Sequence, residues 1–262
     1  MSFVPAASDR DLLAVLGAMV AATLAVGVGA RRRGTSGFEF EARFFGGLLR
    51  DARVAPRRML VVGCGEGVEV DHLAREVQAP VVGLDLAIDP RGERPGVQLL
   101  RADARHLPFR DGAFDALYCY HVLEHVPGPA AAVAEARRVL SRGGFAFFGT
   151  PNRSRLVGYV GGRATAWEKL RWNAADYGKR LTGRWSNERG AHAGFSEPEL
   201  ARLLAAAFTR VESVSLPYYL GKYPGLEGMW RTSFRLGLLR FLAPSVYFRA
   251  TDGVTDGGPR IS

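Results

Sequence analysis

An α/β fold with a largely parallel sheet, covered by helices on both faces, is predicted by three observations. Apolar runs of strand length recur through the amino-terminal part of the chain, amphipathic stretches of helix length separate them, and a glycine-rich turn joins the first run to the first helix. The runs lie near 58–63, 80–85, 97–101, 114–119 and 144–150, with helices near 67–78 and 129–140. The turn reads Val61-Val62-Gly63-Cys64-Gly65-Glu66-Gly67. Its glycines let the backbone leave a buried strand sharply and keep side chains out of the space beside the turn. Backbone N–H groups and the positive end of the following helix favour a carboxylate or phosphate there. Asp85 closes the second run, 18 residues beyond Gly67, where a carboxylate can accept both hydroxyls of a ribose. Two neighbouring strand ends therefore describe one nucleoside pocket. A dinucleotide fingerprint would place a small residue at position 68; Val68 stands there and disfavours a pyrophosphate.

Gly-x-Gly-x-Gly after a Val-rich strand, with the acid at the end of the next strand, resembles the class I S-adenosylmethionine-dependent methyltransferases. Further segments resemble that family in order: Arg101-Ala102-Asp103-Ala104-Arg105-His106-Leu107-Pro108-Phe109 after the third strand, Phe114–Val126 for the fourth strand and its exit, and Leu140–Asn152 for the fifth. His192-Ala193-Gly194-Phe195-Ser196 extends the likeness to a later helix start. The combination is similar to the branch that includes small-molecule and quinone methyltransferases. The resemblance implies a Rossmann-like, seven-stranded, mostly parallel sheet and S-adenosyl-L-methionine as cofactor. It also implies that Gly63, Cys64, Gly65, Gly67, Asp85, Leu86, Asp103, Ala104 and Tyr120 bind that cofactor, Asp103 through the adenine amino group.

Other motifs have plainer readings. Cys64 and Cys119 fall in or beside buried strands, as reduced core thiols. Asp115 opens its strand away from the cofactor end and reads as structural. His121-Val122-Leu123-Glu124-His125 matches an inverted zinc motif formally, yet it leaves a strand and soon meets Pro127-Gly128-Pro129, so the long helix that motif needs is excluded. Some quinone O-methyltransferases resembling this branch hold a divalent ion through an acid and a Glu-His pair; His121 replaces the first acid, which leaves a divalent metal as the alternative to a structural role. Glu124 and His125 then read as capping groups.

At 262 residues, with 47% hydrophobic side chains, the chain can bury one sizeable core. Its formal charge of +9 is uneven: residues 1–150 carry 18 basic and 17 acidic side chains, and residues 151–262 carry 17 and 9. Nine basic and three acidic residues lie in 152–190, interleaved with Trp167, Trp172, Tyr177 and Trp185. That segment follows the fifth strand and is expected as a basic lid insertion over the acceptor pocket. It suits anionic lipid headgroups or nucleic acid, the latter not favoured, or a solvated cap helix whose tryptophans pack on the core.

Leu12–Ala30 is a run of 19 residues without charge, long enough as a helix to cross a bilayer core, and Arg31-Arg32-Arg33 follows. Segment 1–36 is therefore expected to carry a transmembrane helix over 12–30. The arginines are expected to keep the catalytic domain, 37–251, on the cytoplasmic side of the membrane as a single-pass protein; a helix packed on a cytoplasmic enzyme and a cleaved signal peptide are the alternatives. Residues 252–262 are expected as a flexible tail. Ser196 is placed as the cap of a helix through about Phe208, Arg210–Leu216 as a sixth strand, Gly225–Leu242 as a helix, and Pro244–Thr251 as a seventh strand, antiparallel in the family.

Methyl transfer needs donor and acceptor held in line, with a general base where the acceptor carries a proton. His192 is expected as that base, from its resemblance to a histidine at the rim of the acceptor pocket, and His121 is the second candidate. The acceptor is expected to be a small or lipid-like molecule. An RNA or protein substrate using the basic lid, or a scaffold that binds the cofactor without turnover, remain the alternatives. Oligomeric state is not legible.

Overall fold

The computed structural model describes residues 37–88, 95–156, 158, 165–189 and 192–252. The chain forms two compact units. The first, Ser36–Thr150 with Pro198–Ser213 and Tyr247–Ser262, carries a seven-stranded sheet. Its elements are α1 (Gly37–Asp51), β1 (Met59–Val62), α2 (Val68–Val77), β2 (Val81–Asp85), β3 (Val97–Arg101), β4 (Phe114–Tyr120), α3 (Pro129–Val139), β5 (Leu140–Pro151), α5 (Glu197–Ala205), β6 (Arg210–Ser213) and β7 (Ser245–Thr251). The second, Pro151–Glu197 with Val214–Val246 among its described parts, holds α4 (Ala166–Leu181), α6 (Ser215–Lys222), α7 (Glu227–Arg235) and α8 (Leu239–Leu242).

The strand order is β3-β2-β1-β4-β5-β7-β6, with β1 parallel to both β2 and β4, β2 parallel to β3, β4 parallel to β5, and β6 antiparallel to β7. The seven-stranded, mostly parallel Rossmann-like sheet expected from sequence is thus the observed one. The chain winds outward from β1 in one direction to β3, then begins again on the other side with β4. Between β1 and β4 the crossovers diverge, and a crevice opens beyond the carboxyl ends of the strands.

Burial explains why these runs became strands. All four residues of β1 are buried, as are the first four of β2 and most of β4 and β5, so both faces of the central strands are covered. On one face Phe45 of α1 is fully buried and meets Tyr118, Phe145 and Phe147 edge-on, with ring centroids 5.3, 6.0 and 6.1 Å away. Edge-to-face pairs at such distances add to the area buried. Asp115 sits at an irregularity in the β4–β5 pairing, where its carboxylate accepts the Arg57 and Arg58 N–H groups and the Ser141 hydroxyl. It ties the entry of β1 to that of β5, at the end opposite the cleft.

Three elements differ from the sequence reading. α1 was not anticipated, because Gly46 and Gly47 interrupt its periodicity. Gly46 lies against the Glu76 side chain, leaving α1 and α2 in close contact. The sixth strand stops at Ser213, and Ser215 begins α6. The helix expected over Gly225–Leu242 is two, α7 and α8, parted at Gly237, whose φ of +66° glycine adopts without strain.

In the second unit, polar groups organise the segment after β5. Asn152 is buried, donates to the carbonyls of Arg240 and Ala243, and accepts the Ser154 N–H. A capping box of Thr165 and Glu168 starts α4. Trp185 packs under two guanidinium groups, with Arg155 and Arg180 at 4.8 and 4.7 Å from its ring. Among the described residues no helix is long and apolar enough to cross a membrane. The helix expected at 12–30 lies outside them, as does nearly all of the tail.

Candidate functional site

The glycine turn is fixed from both sides. Gly63 and Cys64 donate their N–H groups to the Leu84 carbonyl at 2.8 and 3.0 Å, and Gly67 closes the loop on the Cys64 carbonyl. Gly63 has φ +72°, and a Cβ there would lie 2.1 Å from Cγ2 of Val122. Only glycine lets the exit of β4 press onto this turn. Beside Gly65, by contrast, a Cβ would meet nothing within 4 Å, so its surroundings are open. Gly67 caps α2 with φ +82°, and Asp71 places negative charge in the first turn of that helix.

A cleft of about 250 Å³ opens at these strand ends. Its walls come from Val62 and Gly63, from Leu84, Asp85 and Leu86, from Ala102, Asp103, Ala104 and Arg105, and from His121, Val122, His125, Val126 and Pro127. Asp85 is already oriented by two backbone donors: Gly65 N–H to Oδ2 and Ala87 N–H to Oδ1, both at 3.0 Å. Each carboxylate oxygen keeps a further lone pair for a ligand hydroxyl. Asp103 is held more firmly. Its Oδ1 accepts the Arg105 N–H and Nε, and its Oδ2 accepts Nε at 3.1 Å and Nη2 at 2.7 Å. These bonds from Arg105 hold the Asp103 carboxyl down at about 2, so it is an anion throughout the physiological range.

The fourth wall carries two imidazoles around one carboxylate. Glu124 is 3% exposed; its Oε1 lies 3.2 Å from Nδ1 of His121 and 4.0 Å from Nε2 of His125, while Oε2 has no hydrogen-bond partner in the described structure. His121 has φ +56°, a conformation rare for a residue with a side chain. Its N–H is bonded to the Gly149 carbonyl, and its ring meets Tyr120 edge-on at 4.3 Å. The strand exit thus turns so that His121 faces the cleft. Among the described residues no group of three His, Cys, Asp or Glu side chains is arranged to hold a metal ion.

Of the residues singled out from sequence, Gly63, Asp85, Leu86, Asp103, Ala104 and His121 line this one cleft. Cys64 is buried beneath the turn with its Sγ toward Gly83, Gly65 and Gly67 shape the turn through their backbone, and Tyr120 stacks on Tyr118 and Tyr247. Cys64 and Cys119 are buried thiols, and desolvation pushes the Cys119 thiol far up. His192 belongs to the second unit, where it is exposed with φ +50°. Sequence reading missed Arg105, although its place two residues after Asp103 is the spacing at which an Asp side chain bonds the backbone ahead. It also read Glu124 and His125 as capping groups; Glu124 is buried against His121, and both histidines line the cleft.

A second buried acid lies behind the turn. The Tyr118 hydroxyl donates to Glu69 Oε1 at 2.7 Å. Burial raises the Glu69 carboxyl to about 7, against the lowering effect of that hydrogen bond, and nearby Glu41 adds to the rise.

Comparison with known proteins agrees with this geometry. Residues 60–148, from β1 to β5, match a family described as a methyltransferase domain. The ubiquinone biosynthesis O-methyltransferase of Thiobacillus denitrificans is 32% identical over 178 residues, 63% of this chain and 69% of that protein. The enzyme of the same name from Chromobacterium violaceum is 30% identical over 181 residues, 63% of this chain and 76% of that protein. Other relatives are spanned over about half their length: the enzyme of that name from Sodalis glossinidius is 35% identical over 116 residues, 41% of this chain and 46% of that protein. Among solved structures, a putative sarcosine dimethylglycine methyltransferase from Galdieria sulphuraria aligns with a TM-score of 0.50 at 14% identity, over 80% of this chain and 83% of that one, a likeness of fold. A glycine turn facing two aspartates at adjoining strand ends, on this sheet and with these relatives, makes the chain a member of the class I S-adenosylmethionine-dependent methyltransferases.

Proposed function

We propose that this protein methylates a hydroxyl group of a small or lipid-like acceptor at the cytoplasmic face of a membrane. The observation that carries the reading is the single cleft in which Asp85 and Asp103 converge beside the open Gly65. The residues fit S-adenosylmethionine: Asp85 offers lone pairs to the ribose hydroxyls, Asp103 meets the adenine amino group with an oxygen it would share with the Arg105 guanidinium, and Leu86 and Ala104 supply apolar wall. Gly63, Cys64, Gly67 and Tyr120 support these groups from behind. When bound, S-adenosylmethionine supplies an electrophilic sulfonium methyl carbon to the acceptor oxygen.

The chain's own part is orientation and removal of one proton. A carboxylate can only accept, so Glu124 fixes the Nδ1–H tautomer of His121 and leaves Nε2 free to take the acceptor's hydroxyl proton. His121 is therefore assigned as the base in this cleft, ahead of His192. Hydroxyl methylation of a lipid-like molecule is supported by the relatives named ubiquinone biosynthesis O-methyltransferases. The membrane face is supported by the uncharged run at 12–30 and the three arginines after it.

The test is to incubate the full chain with labelled methyl donor and a total lipid extract, and to identify the labelled product. A labelled O-methyl ether is expected, and His121→Gln should lower turnover by about 10²–10⁴-fold with donor affinity retained. Donor binding without any methylated product from lipid or quinone would overturn the reading, and label appearing in RNA would replace it. A larger loss in His192→Gln than in His121→Gln would transfer the role of base.

A further inference from the structure

α4 is amphipathic in the wrong sense for a core helix. At about 100° per residue, Trp167, Leu170, Ala174, Gly178 and Leu181 fall within one arc of about 80°. That arc faces outward: Trp167 is 73% exposed, Leu170 60% and Leu181 89%, with Tyr177 exposed at its margin. Lys169, Asn173, Asp176 and Arg180 fall on a separate arc of about 60°, and that one faces in. Lys169 and Asp176 are buried, Asp176 pairs with buried Arg155 at 3.1 Å, and Asn173 holds both the N–H and the carbonyl of Gly158. Arg180 donates to the carbonyls of Arg153 and Arg155. The inward contacts are specific and leave no freedom to roll the helix over, so the exposed apolar stripe is a product of the fold.

We infer that the outward face of α4 docks on a bilayer surface containing anionic lipid. A helix 16 residues long covers about 24 Å of such a surface. Tryptophan and leucine beside arginine is the pairing that a headgroup boundary accepts, apolar side chains entering it and cations remaining among the phosphates. Arg171 and Arg184 are exposed and Lys179 is half-exposed on this segment, while Arg155 and Lys169 are buried. The charge complements an acidic surface. The inference deepens the membrane-face part of the proposed function and holds whether or not methyl transfer occurs.

The experiment uses the full chain with Leu181→Cys carrying an environment-sensitive fluorophore. Both native cysteines are buried, so the new thiol labels selectively. The probes are vesicles of phosphatidylcholine with about 30% phosphatidylglycerol, and vesicles without it. The fluorophore should enter an apolar environment on the anionic vesicles, and Trp167→Glu with Leu170→Glu in the same chain should weaken that partition at least about tenfold. Co-sedimentation of the same samples separates the sources of binding. A chain that sediments while its fluorophore stays in water overturns the α4 surface and leaves the membrane-face reading to residues 12–30. A fluorophore already shielded without vesicles, whether by a second copy at rising protein concentration or by the chain itself, also overturns it. Donor titration on the variants reads the methyltransferase assignment separately and should not change.

Discussion

The sheet unit and the segment around α4 solve opposite problems. In the sheet unit, apolar side chains go inward and polar ones gather at the strand ends, where Asp85 and Asp103 face a cleft. Around α4, the Arg155–Asp176 ion pair, Asn173 and Arg180 lie on the inner side, and tryptophan and leucine lie outside. The first arrangement is stabilised by removing apolar area from water. The second depends on polar geometry and leaves apolar area for something else to cover. Functional groups in the two regions therefore fail differently when they are altered.

The most severe way to break the second arrangement is Asp176→Ala. It leaves buried Arg155 without its carboxylate, and a loss of about 3–5 kcal/mol is expected in denaturant unfolding. A small loss would mean that the helix is held by other contacts.

In the sheet unit the corresponding buried acid is Glu69, and its effect depends on pH. A carboxyl whose native pKa is raised favours the folded state fully below its unfolded value near 4.5, and that contribution disappears as pH rises through about 7. Relative to Glu69→Gln, the wild type should lose on the order of 2–3 kcal/mol of stability between about pH 4.5 and 8. Parallel stability profiles for the two proteins would show that Glu69 is not buried as an acid.

Asp85→Ala should weaken binding of the methyl donor by about 1.5–3 kcal/mol, the range for hydrogen bonds to a charged group. Isothermal titration reads it directly, and unchanged affinity would remove Asp85 from the cofactor site. The smallest effect is expected on the α4 stripe: Leu181→Gln should change thermal stability by no more than about 0.5 kcal/mol. A marked loss there would mean that the stripe supports the fold, and the contrast between the regions would weaken.

Much of the cleft was legible in sequence because Asp85 ends one strand of a parallel sheet and Asp103 follows directly after the next. Once Val61-Val62-Gly63 is a buried strand leading to a turn, topology carries Asp85 and Asp103 to the same edge, whatever their side chains touch. Arg105 was not legible as a partner, because side-chain bonds depend on rotamers that periodicity does not encode. Glu124 was visible within His121-Val122-Leu123-Glu124-His125, yet its relation to His121 waited on the positive φ that turns the chain at that point. α1 escaped because its glycines hide its period, and the break at Gly237 because one residue of left-handed backbone ends a helix without altering the apolar pattern around it.

By itself the sequence determined the parallel strand-and-helix alternation, the glycine turn and the acids at the sheet's edge. These follow from local preferences and from the rule that parallel strands need crossovers, and they do not depend on distant contacts. Only the tertiary structure decided which way α4 faces. Its residues permit either orientation, and the choice fell to buried partners distant in the chain, Arg155 against Asp176 and Gly158 against Asn173, whose burial is tolerable only when each polar group meets its complement.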